Sequence, residues 1–208
     1  STRPAVAGVV FVDPNANGVR DRGEVGLGGV AVSNQDAVVA TGASGEFHLP
    51  GGGTGVVFVS VPDGYRAVGT FWRAVIDSTS SLSFPLATAP RANEFTFVHA
   101  SDTHIAPASV GRTRRLRALV DSMRPAFALI TGDLVRDALR VSEKEASGYY
   151  ELFKGETARF TTPLWTVPGN HENFGIERHL SLVSPAHPLF GAGMYRHYLG
   201  PGYYSFNY

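Results

Sequence analysis

The sequence has no cysteine, which removes a disulfide framework, a thiolate nucleophile and sulfur ligation, so any metal must be held by nitrogen and oxygen. It also has no net charge, because 18 Lys and Arg balance 18 Asp and Glu. Without an overall field, nucleic acid specificity and an anionic membrane are not expected, and a charged ligand needs a local site. No apolar run approaches the roughly 20 residues that cross a bilayer. No charged-then-apolar leader follows Ser1, so a secretion signal is expected to be absent or already removed.

What is present changes character along the chain. Its 208 residues accommodate two modest domains, each with its own core. Residues 1 to 88 are rich in Gly, Val, Ser and Thr, and short apolar runs (VAGVVFVD, GVAVSN, GEFHLP, VVFVSVP) alternate with turn formers. This texture predicts an N-terminal all-β antiparallel sandwich. From residue 94 to 208 the order becomes strand, helix, strand, helix, strand (FTFVHASD, FALITGD and PLWTVPGN as the strands), which predicts parallel strands with crossover helices. The stretch SLSFPLATAPRAN, with Pro85 and Pro90, reads as the linker.

In the first helix Leu116, Leu119, Val120 and Met123 fall at the spacing of one buried face, with arginines mostly opposite, a solvated side. The second is expected to start at Ser142, with Glu145 completing a capping box.

Residues 13 to 24, DPNANGVRDRGE, satisfy D-x-[DN]-x-[DN]-G-x5-E throughout. Asp13, Asn15 and Asn17 offer side-chain oxygens, Val19 a carbonyl, Asp21 a direct or water-mediated ligand and Glu24 a bidentate one, the six- to eight-oxygen chemistry of Ca2+. The plainer alternative is a polar turn whose Asp and Asn bond their own backbone. Both flanks are strand-like, so a structural ion in extracellular fluid fits better than a helix-loop-helix switch. With VVATGASGEFHLP and VFVSVPDGYR, the loop resembles the prealbumin-like or collagen-adhesin B-type sandwiches of secreted bacterial proteins. That resemblance implies an extracellular, periplasmic or cell-surface location.

The chemistry-bearing residues stand at strand ends. Asp102 and His104, two apart, point the same way on an extended chain. Gly132 and Asp133 close the second strand, and Gly169, Asn170, His171 and Glu172 close the third. In a parallel sheet these ends face one crevice. The order D-x-H, G-D, G-N-H-[DE] resembles the calcineurin-like metallophosphoesterases, and implies for residues 94–208 the first half of an α/β core, a β-sandwich flanked by helices. It further implies that Asp102 and His104 bind a first metal, Asp133 bridges two, and Asn170 binds the second. His171 would protonate the leaving group, with Glu172 orienting it. The implied activity is hydrolysis of phosphate esters by hydroxide activated between two cations, Mn, Fe or Zn.

Later histidine motifs of that family do not occur, so the chain is expected to be C-terminally truncated and weakly active or inactive; a monomer is expected. His99 reads as a surface or core residue, His48, His179, His187 and His197 lack partner spacing, and Asp137 reads as a surface residue. The rival reading is a calcium-stabilised adhesion or spacer module with a non-catalytic second half.

Overall fold

The computed structural model of the protein describes residues 3–75 and 81–208. The chain divides into two compact units, Ser1–Asn93 with Tyr203–Tyr208, and Glu94–Gly202.

The first unit is built from β1 (Val6–Val12), β2 (Ala31–Ser33), β3 (Val38–Ala40), β4 (Glu46–Leu49), β5 (Val56–Val59), β6 (Tyr65–Ala67), β7 (Trp72–Ala74) and β8 (Leu82–Thr88). They form two four-stranded sheets, ordered β4-β1-β8-β6 and β3-β2-β5-β7. Alternation is clearest in β4, where Phe47 and Leu49 are buried and Glu46 and His48 exposed, the mark of a strand with one wet face. The core gathers Val10, Phe11, Val32, Phe47, Leu49, Val57, Val59, Phe84 and Leu86.

Two expectations need correction. The sheets are not wholly antiparallel, because β1 and β8 run parallel, Val10 opposite Phe84 and Phe11 opposite Pro85. And residues 82–88 are a central strand, not a linker. Proline lacks a ladder donor and argues against a central strand, yet here the Pro85 carbonyl still accepts the Val68 amide at 3.0 Å, and the apolar residues on either side of it are buried. The closing YYSFNY lies on this unit. Phe206 makes a single parallel bridge to Val61, Tyr203 Oη donates to the Gln35 carbonyl at 2.6 Å, and the Tyr204 ring lies 4.7 Å from that of Phe71.

The second unit alternates β9 (Phe97–Ala100), α1 (Val110–Met123), β10 (Phe127–Thr131), α2 (Glu143–Thr157) and β11 (Leu164–Val167), followed by short helices α3 (Arg178–Ser181) and α4 (Gly193–Leu199). The strands are parallel in the order β11-β10-β9, as expected of strands joined by crossover helices. Ile130 of β10 packs with Ile105, Leu134, Val135, Phe174 and residues of α2 and α4, among them Tyr150, Phe153, Met194 and Tyr195.

Helix α1 buries a different stripe from the one its leucines suggest. Thr113 and Val120 are buried and Leu116 half-buried, whereas Leu119 and Met123 are 54% and 57% exposed. Successive residues are turned by about 100°, so Leu119 cannot share the inward direction of Val120. In α2, Ser142 Oγ caps the Glu145 amide at 3.3 Å. The reciprocal arm of the capping box is not made, because the Glu145 carboxylate accepts from Tyr149 Oη at 2.7 Å.

Candidate metal centre

Each parallel strand ends just before a residue able to do chemistry, and the backbone stitches the three ends together. The Gly132 amide donates to the Val167 carbonyl (2.9 Å), the Asp102 amide to Gly132 (3.1 Å) and the His104 amide to Asp133 (2.9 Å). Thr103, buried between two candidate ligands, donates its hydroxyl to the Leu134 carbonyl at 2.8 Å. This lacing holds Asp102, His104 and Asp133 at φ of 55°, 40° and 50°. In that left-handed region an L-residue other than glycine is strained by about 1–2 kcal/mol, and such strain persists where surrounding structure enforces it.

Close approach also sets the composition. A Cβ on Gly169 would sit 2.3 Å from Asp133 Oδ1 and 2.6 Å from the Asp133 amide nitrogen. Only glycine lets the end of β11 lie against the end of β10.

The side chains then meet. His104 Nε2 lies 3.7 Å from Asp133 Oδ2 and 3.8 Å from Asp102 Oδ1, too far for hydrogen bonds. Ligands sharing one ion at about 2.0–2.2 Å stand roughly 3–3.6 Å apart, so small movements would let these atoms share a cation. The His104 and His171 rings are 4.6 Å apart and perpendicular. His104, Asp133 and His171 each present a donor atom within 4.8 Å of the others. Imidazole nitrogen and carboxylate oxygen suit Mn, Fe or Zn, so the donor set fits a divalent transition metal. Asn170 is exposed in the same loop, its carbonyl accepting the Asn173 amide at 3.1 Å.

The structure corrects one partner. His171 is not oriented by Glu172: its Nδ1 meets the Arg136 carbonyl at 2.6 Å. A carbonyl only accepts, so Nδ1 carries the proton there and Nε2 is the free ring nitrogen. The His171 amide donates to Asp133 Oδ1 at 3.2 Å.

Glu172 is fully buried and accepts four backbone amides. Oε1 takes those of Leu134 (2.7 Å) and Val135 (3.0 Å), and Oε2 those of Asp133 (3.0 Å) and Gly169 (2.6 Å). Burial pushes its carboxyl up from the usual carboxylate value, against the downward pull of the Val135, Gly169 and Leu134 amides. Two participants had no signal in the sequence: the Arg136 carbonyl, and Tyr150, whose buried hydroxyl donates to the Glu172 carbonyl at 2.8 Å.

Other candidates take ordinary roles. His99 is exposed, its Nε2 2.7 Å from Thr131 Oγ1. Asp137 caps the Leu139 amide (2.8 Å) and pairs with Arg140 (3.1 Å). His187 lies 3.3 Å from Glu143.

In the first unit Asp13 is fully buried at the end of β1. Its Oδ2 accepts the Gly18 amide at 2.8 Å and its Oδ1 that of Asn17 at 3.3 Å. Asn15 and Asn17 Oδ1 accept amides two residues on, and their Nδ2 groups donate to Asp21 Oδ2 at 2.9 and 2.8 Å. Those amides hold the Asp21 carboxyl below its usual value. Glu24 Oε2 accepts the Asp21 amide at 2.9 Å, and Val19 is exposed.

Imidazole and carboxylate donors gathered at the carboxyl ends of a parallel sheet make a candidate metal site of α/β type. Residues 95–208 match the calcineurin-like phosphoesterase family, and the chain belongs to that family of divalent-metal phosphoester hydrolases. No curated protein matches the chain.

Proposed function

We propose that the second unit hydrolyses phosphate esters at the ends of β9, β10 and β11, with two divalent cations held by Asp102, His104, Asp133 and Asn170. The observation that carries this reading is the meeting of His104, Asp133 and His171 donor atoms within 4.8 Å, from three loops far apart in sequence. Asp102 and His104 would hold one cation and Asn170 the other, and Asp133, with Oδ2 near the His104 ring and Oδ1 on the His171 backbone amide, would be shared between them. Bound there, divalent cations polarise water and neutralise phosphoryl oxygens.

The chain's own residues then position and transfer protons. The Arg136 carbonyl holds His171 Nδ1–H, which leaves Nε2 to face the substrate. As an imidazolium, His171 gives its Nε2 proton to the leaving oxygen as water attacks phosphorus and the bond from phosphorus to that oxygen breaks. The grouping of His171 with His104 and Asp133 also favours a second reading, in which Nε2 is a ligand. Calorimetric Mn2+ titration alongside hydrolysis of a panel of phosphate esters separates the two. His171→Ala keeps its Mn2+ affinity and loses hydrolysis if the residue is an acid, and loses affinity if it is a ligand. Mn2+ binding unchanged in Asp133→Asn would end the metal reading as a whole.

For the first unit the proposal is a calcium-stabilised β-sandwich working outside the cell, with Asp13, Asn15, Asn17, Val19, Asp21 and Glu24 around the ion. The buried Asp13 carboxylate bonded to the Gly18 amide supports it. Ca2+ should raise the melting temperature over EDTA, and an unchanged melt would leave a plain polar turn. A chain stabilised by Ca2+ that binds no Mn2+ would favour the spacer module.

A further inference from the structure

We propose that Glu172 is a positioning residue that acts on the backbone of two ligand-bearing loops, holding Asp133 in the conformation that aims its carboxylate at His104. The affinity part of this proposal rests on the metal reading above.

An ionised carboxylate offers about four acceptor positions, and the amides of Asp133, Leu134, Val135 and Gly169 fill them, two on each oxygen. No capacity remains for the His171 ring, which is satisfied by the Arg136 carbonyl. Three of the four donors are consecutive. A left-handed residue followed by others makes successive N–H groups converge into a concavity that attracts an anion. Asp133, at φ 50°, opens such a concavity, and Glu172 fills it from within the chain. The fourth donor ties β11's end to the same charge, 2.6 Å from Gly169. Tyr150 of α2 holds the Glu172 backbone through its carbonyl, so the clamp is anchored in the core and not in the loops it organises.

The test uses the 208-residue chain with Glu172→Gln and Glu172→Asp. Glutamine fills the same volume but turns an NH2 toward two amide donors, whereas aspartate keeps the charge on a shorter arm. Amide hydrogen exchange is measured without metal, and Mn2+ affinity by calorimetry. In Glu172→Gln the four amides should exchange at least about tenfold faster, and Mn2+ should bind about 10- to 100-fold more weakly, the range for groups that orient metal ligands. Glu172→Asp should lie between it and the wild type in both readings. A role in packing predicts the opposite order, with glutamine the milder change, and that order or unaltered exchange at the four amides would overturn the proposal. If Glu172→Gln does not fold, Glu172→Asp is compared with the wild type by the same criteria. If the wild type binds no Mn2+, the metal reading fails and the exchange data alone decide the clamp.

Discussion

Asp13 in the first unit and Glu172 in the second are both fully buried carboxylates that accept backbone amides at the end of a strand. They differ in reach. Asp13 bonds amides four and five residues ahead, so its loop can organise itself as soon as β1 ends. Glu172 bonds one amide three residues back and three others 37 to 39 residues away. It can act only after β10 and β11 have paired. A local carboxylate shapes one turn, whereas a long-range one makes two loops into a single site.

The largest effect should come from the point where the long-range loops meet. Asp133→Ala should weaken Mn2+ binding by more than about 100-fold, beyond the loss typical of groups that only orient ligands, with the near-ultraviolet circular dichroism unchanged. Next is Gly169→Ala, whose methyl group would overlap the Asp133 amide. It should cost about 2–3 kcal/mol in denaturant unfolding, as overpacking does, and lower Mn2+ affinity too. Asp13→Ala leaves the Gly18 amide without its acceptor, while the Asn17 amide keeps Asn15 Oδ1, and should cost about 1–2 kcal/mol with Mn2+ affinity at the wild-type value. A change in that affinity would show that the two clamps are not independent. The smallest is Ser142→Ala, which removes the α2 cap and should cost about 1 kcal/mol with no effect on either loop.

The same contrast explains what could be read from the sequence. Asp102, His104, Asp133 and His171 carry their chemistry in their side chains, and each follows an apolar strand, so their meeting at one sheet edge could be anticipated. Asp13 to Glu24 could be read as one loop because its spacing is local. The partner of Glu172 could not, because backbone amides belong to every residue and leave no mark in the sequence. The Arg136 carbonyl on His171 is hidden for the same reason. Pro85 misled because a proline seldom sits in a central strand, and Leu119 and Met123 misled because apolar residues at helical spacing suit two adjacent faces. Only packing decides which face turns inward.

The proposed site draws three distant loops onto one cation. Anomalous diffraction from crystals soaked in Mn2+ tests it most directly. A peak is expected within bonding distance of His104 Nε2 and an Asp133 carboxylate oxygen, absent in Asp133→Ala. A peak remote from both residues, or none at saturating Mn2+, would contradict it.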